Sequence, residues 1–349
     1  MKRLILFSLI FTFSYALIAQ NLTTDSLFKA DDQQAEKLYN EGVTLFQDKH
    51  YADAMARFTE AIGLKNNFEK AYFNRGSVKM ETGDFAGAEQ DFTSSINLSP
   101  SAKAYFGRGK SKYERNLADE AISDFSKTVE SDSNYAQAYY YRGVLQFQKK
   151  EYEKAVKDFT SAIRSKPDYA YAYSDRGSAK LMLEKPQDAE ADYIMANKLN
   201  PNMAFTHNNL GSVRKKLNNL KGAIEEYSLS ISIKPDYFLA YNNRGNAYYE
   251  QGEYDKAIAD FSEAIKLKPD YAYAYNNRAN AKYKLKDYDG ALSDYSKAIE
   301  INPNYGYAFL NRGITYEMLR KPALSCEDWK KAAALGISTA DSYVKLQCK

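Results

Sequence analysis

The sequence predicts an all-α solenoid of about nine helix–turn–helix units, and three observations predict it. The first is self-similarity at 34 residues: Gly76, Gly143, Gly177, Gly211, Gly245 and Gly313 fall into one register. Gly42 and Gly109 join it once a one-residue deletion near Pro100–Ser101 is allowed, and Ala279 fills the remaining slot. The second is helical periodicity inside each unit: Tyr241, Gly245 and Tyr248 share one face, and Ala257, Phe261 and Ala264 share another. The third is a lopsided composition, 31 Tyr and 18 Phe against one Trp, as a repeated motif produces.

The elements follow in chain order. Lys2 and Arg3 precede an apolar run, Leu4–Ala19, of 16 residues, short of the roughly 20 that span a bilayer. With small Ala19 at its end and polar NLTTDS after it, residues 1–19 read as a secretory signal peptide. No Cys follows the run, which argues against a lipid-modified amino terminus. Export is therefore expected, to a periplasmic or secreted location in a bacterium, with no stable membrane insertion after cleavage. Residues 20–34 read as a polar linker. Nine units then start at Ala35, Glu69, Ala102, Ala136, Ala170, Ala204, Phe238, Ala272 and Gly306, giving repeats 35–68, 69–101, 102–135, 136–169, 170–203, 204–237, 238–271, 272–305 and 306–337. The formal charge is +3, and +1 without Lys2 and Arg3, which creates no field for nucleic acid or an anionic membrane.

In each repeat a turn such as QGEYD separates two helical segments, and Pro269 ends the unit that starts at Phe238. Every unit has an aromatic in the slot of Phe261, the others being Phe58, Phe92, Phe125, Phe159, Tyr193, Tyr227, Tyr295 and Trp329. Every unit has a small residue in the slot of Ala264. This aromatic–Gly–Tyr…Ala…Phe…Ala…Pro skeleton over 34 residues resembles the tetratricopeptide repeat (TPR), and the resemblance covers residues 35–337. The departures are Tyr for Trp at the first aromatic and Arg where the family usually has Leu. The resemblance implies a right-handed superhelix, about one turn for nine units, with first helices on the concave face. One repeat cannot bury its own apolar faces, so stability comes largely from its neighbours.

The Arg departure carries information. Arg75, Arg108, Arg142, Arg176, Arg244, Arg278 and Arg312 share a slot, and sixteen residues later stand Asp91, Asp124, Asp158, Asp192, Asp260, Asp294 and Asp328. The first repeat exchanges the charges, Glu41 for Arg and Arg57 for Asp. The sixth has Leu210 and Glu226. Slots on either side of an intra-repeat turn come level on facing helices. These are read as structural ion pairs, not as a row of anion sites.

At the carboxyl end, Gly336 stops a helix and Ser338 is expected to cap another, carrying Ala340, Tyr343, Val344 and Leu346. Residues 338–349 are read as the terminal cap that a solenoid needs. Cys326 lies ten residues before Gly336 and Cys348 twelve after, so an antiparallel pair brings them level, and a Cys326–Cys348 disulfide is expected.

No catalytic constellation is visible. The chain has two His, His50 in a turn and His207 in a slot other repeats fill with Tyr, and His207 reads as a packing substitute. There is no GxxxxGK[ST], GxGxxG or HExxH. No enzyme activity, cofactor or metal is expected. The TPR resemblance instead points to the first-helix groove. Early repeats place Phe73, Phe106 and Tyr140 there. Later ones place Asn208, Asn242, Asn246, Asn276 and Asn280, with Tyr249, Tyr273 and Tyr283, beside Asn209, Asn243 and Asn277 in the slot before the Arg. Such a row resembles the asparagine ladder of the O-linked N-acetylglucosamine transferases, since an amide both donates and accepts. The Lys/Arg–Asn clamp of chaperone-adaptor TPRs is absent: Tyr39, Phe73, Phe106, Tyr140, Ser174, Asn208, Asn242, Asn276 and Leu310 hold the slots of its first Lys. The expectation is a non-catalytic scaffold or adaptor of the bacterial envelope that binds a protein or peptide ligand in its groove. A polysaccharide or peptidoglycan ligand is the alternative, because Tyr and Asn also suit sugars.

Overall fold

The computed structural model describes residues 29–348, and every regular element among them is an α-helix. The expected signal peptide and residues 20–28 of the expected linker lie outside the described residues. The chain divides into two units, residues 1–167 and 168–349.

The first unit comprises α1 (29–47), α2 (Tyr51–Leu64), α3 (Glu69–Glu81), α4 (Phe85–Leu98), α5 (Ala102–Glu114), α6 (Ala118–Ser131), α7 (Ala136–Gln148) and α8 (Tyr152–Ser165). Residues 29–34, expected in the linker, are already helical, because KADDQQ contains no Gly or Pro to stop a helix from extending toward its amino end. The second unit comprises α9 (Ala170–Met182), α10 (Pro186–Leu199), α11 (Ala204–Lys216), α12 (Leu220–Ile233), α13 (Phe238–Glu250), α14 (Tyr254–Leu267), α15 (Ala272–Lys284), α16 (Tyr288–Ile301), α17 (Gly306–Met318), α18 (Pro322–Ala334) and α19 (Ser338–Gln347). Within each unit the two helices of a repeat pack together, and the second packs on the first helix of the next repeat.

The turn inside each repeat reverses the chain through one left-handed residue. Gly83 and Gly252 adopt it freely, and Asn116 and Asn218 at small cost. Lys49, Lys150, Glu184, Lys286 and Arg320 hold it at φ of 57–63°. The core sits between paired helices. The nine aromatics of the Phe261 slot are at most 2% exposed, and Ala61, Ser95, Thr128, Ala162, Ala196, Ser230, Ala264, Ala298 and Ala332 are fully buried. The register glycine lies against that aromatic: a Cβ on Gly245 would sit 2.8 Å from the Phe261 ring.

The terminal cap is present, with two differences from expectation. Ser338 is the first helical residue; the cap position is Ile337, which makes no side-chain bond. Leu346 is 75% exposed. Ala340 is fully buried, and Tyr343 stacks on Trp329 with ring centroids 4.7 Å apart. Cys326 and Cys348 are bonded, their Cα atoms 5.4 Å apart, which ties the end of α19 to α18.

Candidate functional site

The Arg–Asp pairs meet. In repeat seven Arg244 Nε and Nη2 donate to the two oxygens of Asp260 at 2.8 and 2.7 Å. The same fork joins Arg75 to Asp91, Arg108 to Asp124, Arg142 to Asp158, Arg176 to Asp192, Arg278 to Asp294 and Arg312 to Asp328. The carboxylates are buried and the guanidinium groups mostly so. The bond to Asp260 pushes Arg244 above its ordinary range, so the cation is held. Burial pushes the Asp328 carboxyl up, against the pull of Arg312. Lys79, Lys112, Lys180 and Lys282 add a second cation to Asp91, Asp124, Asp192 and Asp294 at 2.7–2.8 Å. In each of these seven repeats the ring of the Tyr241 slot lies beside its Arg, Tyr241 at 5.7 Å.

The guanidinium also stitches repeats together. Arg75 Nη1 donates to Thr59, Arg108 to Thr93, Arg142 to Ser126, Arg244 to Ser228, Arg278 to Ser262 and Arg312 to Ser296, at 2.9–3.3 Å. Each hydroxyl belongs to the second helix of the preceding repeat. A Ser or Thr fifteen or sixteen residues before the Arg is as regular as the Asp after it, so this link was readable in the sequence.

Two repeats solve the same problem differently. In repeat one Arg57 Nε is 3.4 Å from Glu41, both side chains are over 40% exposed, and Arg57 also donates to Glu60 at 2.8 Å. In repeat six Leu210 fills the Arg slot. One oxygen of Glu226 there accepts from Arg214 Nη1 at 2.8 Å, and the other lies 2.7 Å from His207 Nδ1. His207 is therefore not a packing substitute for Tyr: the buried ring is a polar partner.

The asparagines divide by slot. Asn208, Asn242 and Asn276 are 4–6% exposed, which corrects their assignment to the groove. Their slot faces the first helix of the next repeat. Asn243 Nδ2 donates to Asn208 Oδ1 at 2.9 Å, Asn277 to Asn242 at 3.1 Å, and Asn311 to Asn276 at 3.4 Å. In the first unit Asn74 makes the same step onto Tyr39 Oη at 3.0 Å. These bonds form an internal ladder whose rungs join successive first helices. Asn209, Asn243, Asn277 and Asn311 stay half-buried at the surface. The inter-repeat bond of Asn243 or Asn277 uses one of its two N–H groups, and the oxygens of Asn209 and Asn277 accept from Asn208 and Asn276 at 3.4 and 3.5 Å.

Other expected groove residues turn inward as well. Asn280 Oδ1 accepts Tyr295 Oη at 2.6 Å and Asn311 Nδ2 at 3.1 Å. Tyr227 Oη donates to Ser212 at 3.1 Å, and Tyr193 pairs with Ser178 at 2.9 Å. Burial pushes both phenols up to about 12, so they remain neutral donors. Tyr249 packs edgewise on Tyr254, and Tyr283 packs at a tilt on Tyr288. Phe73, Phe106 and Tyr140 are half-buried against the core rings of Phe92, Phe125 and Phe159. Asn246 is half-buried. Tyr273 is 52% exposed and belongs to a row that sequence reading missed, with Tyr171, Phe205 and Tyr307 one slot into their helices. Among the described residues no cluster of His, Cys, Asp and Glu is placed to hold a metal, and no helix is long and apolar enough to cross a membrane.

Paired helices, a shared aromatic–glycine contact and repeat-to-repeat bonds define a helical-repeat scaffold. Family profiles described as TPR repeat and tetratricopeptide repeat match residues 73–136, 106–170, 211–252, 245–286 and 272–305, more than half of the chain. The chain is a tetratricopeptide-repeat protein. It is 38% identical over 111 residues to tetratricopeptide repeat protein 36 of Xenopus tropicalis, a match covering 30% of this chain and 54% of that protein. The chain thus spans about half the length of that relative. Among solved structures, the Cut9–Hcn1 hetero-tetramer of the APC/C matches at a TM-score of 0.56 with 15% identity, over 90% of this chain and 76% of that one. The carboxy-terminal part of a TPR repeat-containing protein from Cytophaga hutchinsonii matches at 0.55 with 22% identity, over 66% and 95%. PilF of Pseudomonas aeruginosa matches at 0.54 with 18% identity, over 61% and 97%. These three likenesses show the fold.

Proposed function

We propose that the chain is a non-catalytic adaptor that holds an extended protein segment along the first helices of residues 168–349. The observation that carries this is the half-buried row Asn209, Asn243, Asn277 and Asn311. Ladder bonds set the amides of Asn243, Asn277 and Asn311 in place before any ligand arrives. Preorganised amides lose little freedom on binding and pair with main-chain groups whatever the side chains are. The exposed Tyr171, Phe205, Tyr273 and Tyr307 supply apolar contacts beside the row. The basic start, apolar run and small Ala19 further support export, and work in a bacterial envelope is part of the proposal.

The exposed rings also favour one second reading, a polysaccharide ligand. Peptide and glycan arrays probed with residues 20–349 separate the two. Peptide binding should weaken on the order of tenfold when Asn209→Ala and Asn277→Ala remove two amides, a loss of about 1.4 kcal/mol. Unchanged peptide binding would place the site elsewhere on the chain. Signal on glycans alone, lost in Tyr273→Ala/Tyr307→Ala, would replace the peptide reading.

A further inference from the structure

The first helices of residues 168–349 carry a second regularity, in which an apolar side chain stands one turn before each surface asparagine. Phe205 precedes Asn209 by four residues, Tyr273 precedes Asn277, and Tyr307 precedes Asn311. Residues four apart share one face of a helix, so each ring and its amide form a couple. Leu239 holds the ring slot before Asn243, and Tyr171 extends the row toward the amino end. The four rings are 38–58% exposed. In residues 29–167 the same slot holds Glu36, Lys70, Lys103 and Gln137, so the ring-and-amide couple belongs to the second unit alone.

Three features of this row select an occupant. The first is charge. Neither slot holds a charged residue in repeats six to nine, so the row matches an uncharged segment. The second is hydrogen bonding. Asn243 and Asn277 each keep an N–H beyond the one spent on the ladder, and Tyr273 and Tyr307 add hydroxyls. A proline residue brings a C=O and no N–H, so it meets these donors and leaves none of its own unpaired. The third is spacing. The ladder bonds set successive first helices side by side, and helices packed so stand roughly 8–10 Å apart. A polyproline II chain has three residues per turn and advances roughly 9 Å in that turn, so every third residue returns to one face, one repeat further on. A β-strand alternates sides, and its residues three apart face opposite ways.

We propose that the couples of repeats six to nine are a register for a proline-rich segment in the polyproline II conformation, one turn of ligand per repeat. The inference rests on the adaptor reading above and specifies its ligand. Proline rings lie against Phe205, Tyr273 and Tyr307, and ligand carbonyls accept from the spare amide N–H groups. Both sides are stiff before they meet. Tyr273 packs on Tyr271 and Tyr305, with centroids 5.6 and 5.0 Å away, and Tyr171 lies nearly parallel to Phe205 at 6.5 Å. A polyproline II segment is likewise preformed, so little freedom is lost on binding.

The test titrates the full mature chain, residues 20–349, with labelled peptides and reads fluorescence anisotropy. Two peptides share one composition and a length of about twelve residues, four turns of polyproline II. One has Pro at every third position and the other bunches the same prolines at one end. The period-three peptide should bind on the order of tenfold tighter. Tyr273→Leu/Tyr307→Leu keeps apolar bulk and removes two flat rings, and it should weaken that peptide on the order of tenfold. Hydrogen exchange in α15 and α17 checks that the variant is folded, and the comparison of the two peptides needs no variant. Equal affinity for both peptides overturns the register. Period-three binding that is unchanged in the folded variant overturns the row as its seat. Binding of proline-free peptides alone, lost in Asn209→Ala/Asn277→Ala, overturns the inference and leaves the adaptor reading standing. No binding of any peptide overturns both.

Discussion

Repeat seven and repeat one carry opposite charges in the same two slots, yet the pairs are different objects. Arg244 and Asp260 meet through two bonds with the carboxylate 8% exposed. Glu41 and Arg57 meet at 3.4 Å with both side chains over 40% exposed. In repeat seven the guanidinium has a third partner, Ser228, on the preceding repeat. Arg57 instead shares itself with Glu60 on its own helix. Matching charges in matching slots therefore do not imply matching energetics; burial and a neighbour on the far side decide.

Breaking the buried pair should show the largest effect. Asp260→Ala leaves Arg244 without its carboxylate in a mostly buried site, and about 3–5 kcal/mol should be lost. An array of repeats need not unfold in one step, so the readout is hydrogen exchange in α13 and α14. Arg244→Leu with Asp260→Leu should cost markedly less, because no charge is stranded. Equal losses for single and double variants would show that the pair is as weak as that of repeat one.

The cap comes next. Cys326→Ser/Cys348→Ser opens a link spanning 22 residues and should lower stability by about 2–4 kcal/mol, confined to α18 and α19. Trp329 is the sole Trp and stacks on Tyr343 of the cap. Its emission should shift to the red at lower denaturant in the variant, while exchange in the earlier repeats stays unchanged.

What was legible in the sequence follows from what repeats. Seven Arg and seven Asp at a constant separation of sixteen act as an internal alignment, and the pairing could be read from it. The nine core aromatics were legible for the same reason, and the disulfide from its placement about Gly336. Repeat six was not, because it is used once: Arg214 enters from one helical turn later and His207 from a slot that elsewhere packs. The asparagines failed for a geometric reason. Asn242 and Asn243 are adjacent, both polar, and both lie off the face packed on the second helix. Periodicity within one helix cannot tell which of them meets the next first helix. That depends on the approach of neighbouring repeats, which draws Asn242 inside as the acceptor of Asn277 and leaves Asn243 half-buried as the donor to Asn208.

A smaller effect tests that division. Asn243→Ala removes the donor to the buried Asn208 and should cost about 1 kcal/mol, read as faster exchange at the α11–α13 contact. Asn246→Ala, at a half-buried position with no part in those rungs, should be close to neutral.

The smallest expected effect lies at the exposed pair. From the slots alone, Glu41→Arg would be expected to destabilise repeat one, with Arg57→Glu restoring it. The geometry keeps the sign and shrinks the size. An exposed pair contributes about 0–1 kcal/mol, and Arg57 keeps Glu60 when Glu41 is gone. Melts at low and high salt should show a loss within that range for Glu41→Arg, mostly abolished by salt because the charges are solvated. The double variant should return toward the unaltered chain by a few tenths of a kcal/mol. A loss as large as that of Asp260→Ala, persisting in high salt, would mean that Glu41 and Arg57 are shielded in solution as Arg244 and Asp260 are, and that the two repeats differ in residue order alone.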